Sequence, residues 1–235
     1  MTQQLETSRR TPLNRARVLE AAVALADEVG LEALSMRRLA EALGVVPMAL
    51  YKHVANKDEL LDGMVDVVIG EIAPVAGAGW KDAVRLRVLS ARQALLRHPW
   101  ARQALETRTN RTPAVLKHTD EVIGMFLAGG FSVDLTHHVM HALGSRMWGF
   151  TQELFDAAAG SQEAVMPPEA QAAMLQEMAR TYPNILEVAG VARHDDGSVV
   201  SYGCDDQFEF EFALDLMLDG FERLHGRHWS SGRGQ

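Results

Sequence analysis

The 235-residue chain has one cysteine, Cys204, so no disulfide can close within it. No apolar run approaches the roughly 18 to 20 residues that span a bilayer. The opening "MTQQLETSRRTPLN" lacks the apolar core of a secretory leader. These absences point to a soluble, cytoplasmic protein with no membrane partner. Glycine-rich phosphate loops and nucleophile elbows are missing too, and Cys204 has no evident activating partner. Positive charge is scarce, with 23 Lys and Arg against 31 Asp and Glu, for a net charge of −8. The deficit is uneven. Residues 1–57 hold eight basic against six acidic side chains, a net of +2, which leaves −10 on the other 178. An acidic body with a mildly basic head suits a protein that offers one end to a polyanion.

What is present is helical periodicity. In "LNRARVLEAAVALADEVG", Val18, Leu19, Ala22, Leu25, Ala26 and Val29 share one face, Asn14 is a good N-cap, and Gly30 stands where a helix stops. Ser35 caps a second helix, with Leu34 and Leu39 at staple spacing, and Gly44 ends it. Pro47 opens a third, short helix to about His53. Asn56 caps a fourth to about Ile72, with Glu59 placed for a capping box. "APVAGAGW" breaks the pattern and marks a domain joint. Further helices are predicted over about 80–97, to about 107, from Pro113 to Ala128, from Ser132 or Asp134 to about Ala158, from Pro168 to about Tyr182, and over 206–225. "VARHDDGSVVSYGCDD" is the least helical stretch. The chain reads as all-α: a 1–13 tail, an N-terminal three-helix helix-turn-helix domain over 14–56, a connecting helix over 57–72, a larger helical effector-binding and dimerisation domain over 73–226, and a 227–235 tail.

The pair at 35–43 and 47–53 has helix-turn-helix spacing. Leu39, Leu43, Val45, Leu50 and Val54 can form its small core, Ala40 allows a close crossing, and Gly44 permits the turn. Met48, Ala49, Lys52 and His53 are left on the outer face of the second helix, with Tyr51 alongside. A helix fits the DNA major groove, and its first residues reach base edges. Arg37 and Lys57, in the first turns of their helices, can meet phosphates or bases. Amphipathic pairs with a glycine turn also occur as plain packing, so position matters. This pair lies near the N-terminus, follows one helix, and runs directly into "YKHVANKDELL".

Over residues 15–64, "RARVLEAAVALADEVGLEALSMRRLAEALGVVPMALYKHVANKDELLDGM" resembles the TetR family of transcriptional regulators. The resemblance implies a homodimer whose two modules occupy successive major grooves of a near-palindromic DNA operator, with a small-molecule effector changing their spacing. By matching position, Arg37 would contact a base or phosphate, Met48, Ala49, Lys52 and His53 would face the groove, and Tyr51 and Lys57 would hold phosphates. Relatives often carry polar residues where this chain has Pro47, Met48 or Ala49, which means less hydrogen-bond readout here and more contact with thymine methyls. "GWKDAVRLRVLSARQALLRHP", "TRTNRTP" and "GMFLAGGFS" resemble, more loosely, the tetracycline-repressor branch. Thr107 and Arg108 match its pocket-side positions. Ala104 replaces its metal-binding histidine and no histidine stands near Ala73, so no metal or cofactor is expected and tetracycline itself is disfavoured.

Residues with bulk and a polar handle in the expected effector pocket are Trp100, Arg108, Phe126, His141, Met147, Trp148 and Gln152. Such stripes are also ordinary core. A hydrophobic effector with an anionic or carbonyl group would meet Arg108. Phe208, Phe210, Phe212, Leu214, Leu216, Met217, Leu218 and Phe221 wrap more of the last helix than one apolar stripe needs. With Gly144 and Gly149 allowing close approach in the long helix, Phe208, Phe212, Leu216 and Phe221 are expected at a dimer interface. His137-His138, His141 and "HDD" at 194–196 raise a metal-hydrolase alternative, but they match no tight ligand set. Repression is favoured over activation because the resemblance implies it for most members.

Overall fold

The computed structural model describes residues 12–108, 111–149, 167–184, 187 and 206–232. Among them no strand occurs, and the helices are α1 (Arg15–Val29), α2 (Met36–Leu43), α3 (Pro47–Leu50), α4 (Lys57–Gly70), α5 (Trp80–Arg97), α6 (Pro99–Thr107), α7 (Pro113–Ala128), α8 (Val133–Gly149), α9 (Pro168–Thr181) and α10 (Asp206–Gly226). The expected continuation of α8 to Ala158 and the stretch 191–205 lie outside the described residues.

Local chemistry sets the boundaries. The side chain of Asn14 accepts from the Arg17 N–H at 2.9 Å, Ser35 from Arg38 at 3.2 Å, Asn56 from Glu59 at 2.8 Å and Thr112 from Val115 at 3.3 Å. Each satisfies one of the donors that a helix start leaves unpaired. Gly44 takes φ 65° and ψ 36°, the left-handed conformation that only glycine adopts without cost, and its N–H returns to the Ala40 and Glu41 carbonyls. α3 is shorter than the sequence suggests. It stops at Leu50, and a turn held by His53 and Val54 N–H bonds to the Leu50 carbonyl carries the chain into α4.

The described residues form two compact units: one comprises those up to Leu143 and from Phe221 on, the other those from Gly144 to Gly220. In the first, α1 packs on α2 and α4, and α4 in turn packs on α5, α6 and α7. The break around residues 73–79 therefore lies inside this unit. Phe126 is fully buried in an aromatic cluster with Trp80 (5.8 Å between ring centroids), Phe131 (5.2 Å) and Phe221 (6.2 Å). His225 stacks on Phe131 at 4.4 Å. A Cβ on Gly129 would stand 2.6 Å from the Trp80 Cβ, so glycine is what lets the α7 C-terminus approach α5. In the second unit, α9 is mostly exposed and Phe208 stacks on Phe212 at 6.3 Å.

Candidate nucleic-acid interface and effector body

Four residues are too few to hold a helix by themselves, so α3 depends on its anchors. Leu50 and Val54 are buried with Leu34, Leu39 and Ala40, which gives the module a small apolar centre; Leu43 and Val45 are half-buried at its edge. Arg15 braces the far end. Its Nη1 donates to the His53 carbonyl at 3.0 Å and to Glu59 Oε1 at 2.8 Å, tying α1 to the turn after α3 and to the start of α4. The second Glu59 oxygen accepts from the Ala55 N–H at 2.7 Å, one residue before the cap that a capping box would have it reach. Glu59 also sits where a helix N-terminus favours negative charge.

The outer surface is then defined. Pro47, Met48, Tyr51 and Lys52 are exposed, while Ala49 and His53 are half-buried. Arg37, in the first turn of α2, and Lys57, the first residue of α4, are exposed on either side of α3 in the chain. Arg38 instead folds back toward the Ala33 carbonyl at 3.4 Å. Val46, which no motif singles out, precedes Pro47 and is 68% exposed, and Met48 is 72% exposed.

The expected pocket residues have separate surroundings. Trp100 donates from its indole to Asp27 Oδ1 of α1 at 2.6 Å, so it faces the N-terminal module. Arg108 pairs with Asp62, and lies 3.6 Å from Asp58, both on α4. Phe126 belongs to the aromatic core, and His141 is exposed beside His137. The side chains of Met147 and Trp148, and all of Gln152, lie outside the described residues, as does "HDD" at 194–196.

Sequence reasoning missed a buried arginine and a half-buried histidine beside it. Arg87, on α5, donates to the Ala73 carbonyl at 2.8 Å and pairs with Glu121 of α7 at 2.5 Å. His118, also on α7, has its pKa lowered to about 4 by burial and by the nearby Arg87 charge, so it is neutral near pH 7. Its buried Nδ1 and the Arg87 Nε have no hydrogen-bond partner among the described residues. Nothing in "VRLRVLSAR" distinguishes Arg87 from its surface neighbours except its position on the apolar stripe.

His98 holds the joint between α5 and α6. Its Nδ1 lies 2.9 Å from Asp27 Oδ1 and its Nε2 3.0 Å from Glu71 Oε1. Arg97 binds the other Glu71 oxygen at 2.6 Å. Burial alone would raise the Glu71 pKa, but the hydrogen bonds from Arg97 and His98 outweigh it and hold that carboxyl below its ordinary value. Three elements thus meet at one imidazole: α1, the end of α4, and the α5–α6 corner.

On α10, Phe208, Phe212 and Leu216 recur every four residues and are 56%, 53% and 57% exposed, while Phe210, Leu214 and Leu218 are buried. Phe221 does not share the exposed stripe. It is buried against Phe126, because its position falls on the inner face of the helix. Gly144 has open space where a Cβ would stand, and the surroundings of Gly149 lie outside the described residues.

Residues 18–64 match the model of bacterial regulatory proteins of the tetR family, and residues 73–225 that of the tetracyclin repressor-like C-terminal domain. The chain belongs to the TetR family. An HTH-type transcriptional repressor of Streptomyces coeruleorubidus is 30% identical over 217 residues, 88% of this chain and 77% of that protein. An HTH-type transcriptional regulator of Saccharopolyspora erythraea is 39% identical over 127 residues, which span 53% of this chain and only 54% of that regulator. The crystal structure of the TetR-family protein ActR of Streptomyces coelicolor with actinorhodin superposes with a TM-score of 0.70 at 25% identity, over 93% of this chain and all of the other. This TetR-family chain is accordingly a DNA-binding transcriptional regulator with an effector domain, and members of the family are not enzymes. Among the described residues no helix is long and apolar enough to cross a membrane, and no group of three His, Cys, Asp or Glu is placed to hold a metal.

Proposed function

We propose that the chain is a homodimeric repressor acting in the cytoplasm, which binds a near-palindromic operator in successive major grooves and leaves it when a small hydrophobic effector binds. The observation that carries this reading is the α2–α3 surface, where Met48, Tyr51 and Lys52 stand outward between Arg37 and Lys57 while Leu50 fixes the helix from behind. A related chain of Streptomyces coeruleorubidus is a repressor, which supports the sign of regulation. The exposed Phe208, Phe212 and Leu216 stripe is an apolar face that a second copy would cover, with the open space at Gly144 allowing α8 to approach.

Related structures hold actinorhodin, in ActR, and minocycline, in a TetR of Acinetobacter baumannii, which supports a small-molecule effector here. Arg108 already serves Asp62, so an anionic or carbonyl group that reaches it competes for the guanidinium and loosens the α6 end from α4. A thermal-shift screen of hydrophobic acids and quinones should find a stabilising compound that also lowers operator affinity. In Arg108→Ala that compound should lose its effect on DNA binding. Full response in a folded Arg108→Ala protein would remove Arg108 from the effector site.

Lys57→Ala tests the DNA reading by electrostatics. Each phosphate left without its lysine should lower the slope of log affinity against log salt by about 0.9, hence by nearly two for a symmetric dimer. The wild type should bind a specific site with a dissociation constant on the order of 10⁻⁸ M or tighter at physiological salt. Fluorescence anisotropy over a salt series reads both. Altered base preference with an unchanged slope would show that Lys57 does not hold phosphate.

A further inference from the structure

Val46, Pro47, Met48 and Ala49 are four consecutive residues without a side-chain donor or a strong acceptor, and they form the leading end of α3. Val46 and Met48 are among the most exposed large apolar side chains of the described residues, although α3 has a buried side that already takes Leu50. Within the same segment Arg37, Tyr51, Lys52 and Lys57 are exposed, with Glu41 and Asp58 the exposed acids. The patch is an apolar tip on the surface proposed to meet DNA.

In the major groove every base edge presents hydrogen-bonding groups, O4 in the case of thymine, and thymine alone adds a methyl group. Laying valine and methionine on guanine O6 and N7, or on the cytosine amine, removes water from those groups and returns no hydrogen bond. Laying them on thymine methyls buries apolar surface on both partners. We propose, resting on the DNA-binding function proposed for this chain, that Val46 and Met48 read thymine C5-methyl groups, so that each operator half-site carries thymines under the start of α3 and excludes G·C pairs there. Specificity at those steps then comes from apolar contact, and Lys52 and His53, further along, supply the polar readout.

The test begins with selection of duplexes from a random library by the full-length protein, followed by single replacement of each thymine in the half-site by deoxyuridine, which deletes only the methyl. Burial of one methyl corresponds to about a fourfold change in affinity. One or two positions should weaken by about that factor, and Met48→Ala or Val46→Ala should bind the thymine and uracil duplexes equally at its own position. Lys57→Ala should keep the wild-type sensitivity to uracil. If a preferred duplex is found but uracil is neutral at every position, or if G·C pairs are selected under α3, methyl readout is wrong while DNA binding stands. If no duplex is preferred, the regulator reading itself fails.

Discussion

Leu50→Ala is expected to abolish specific duplex binding and to lower the stability of the N-terminal module by about 2 to 5 kcal/mol, as for other leucines truncated in a closed core. Leu50 is fully buried, and it is the only buried side chain within α3. A helix of one turn has almost no stability of its own, so removal of its anchor leaves the Arg15 brace on the His53 carbonyl and Val54 to position the whole reading surface. Met48→Ala, on the exposed side, removes a similar volume and should leave stability within about 0.5 kcal/mol. Urea unfolding and anisotropy titration of both variants separate the two effects. A Leu50→Ala protein that binds as tightly as wild type would show that α3 is not the reading element.

His98→Ala is expected to cost about 2 kcal/mol, because it strips a buried imidazole from two carboxylates at once and leaves the Trp100 indole alone on Asp27. The acid side of the stability profile should change as well. In the wild type Glu71 is held below its ordinary value of 4.5, so its contribution is complete above about that pH and fades as the pH falls through the lower folded-state value. His98→Ala removes one of the two hydrogen bonds that depress it, so less stability should be lost on acidification. Urea midpoints of the two proteins between pH 3 and pH 7 read this directly. An unchanged midpoint at pH 7 would mean that the three elements are joined by apolar packing alone.

The N-terminal module is legible in the sequence because each of its features is local. Caps at Asn14, Ser35 and Asn56, the Gly44 turn, the Leu34 and Leu39 staple and the Leu50 anchor can be read within a few residues of one another, and the structure places all of them as expected. The end of α3 is not legible, since Tyr51, Lys52 and His53 suit a turn as well as a helix. The effector body is legible as helices but not as a site. Whether Arg87 is buried depends on the Glu121 carboxylate 34 residues away, and whether Trp100 faces a pocket or Asp27 depends on a partner 73 residues away. Phe221 falls on the inner face for the same reason: the width of an apolar surface does not say which phenylalanine meets which partner.

A guanine-methylation and hydroxyl-radical footprint of the full chain on its selected duplex tests the central claim most directly. The structure and the proposed dimer call for two protected major-groove segments on one face of the duplex, related by a two-fold axis and centred about one helical turn or a multiple of it apart. Both segments should vanish together with Leu50→Ala. A single asymmetric segment would contradict the dimer, and protection confined to the minor groove would contradict an α3 that reads bases from the groove opposite.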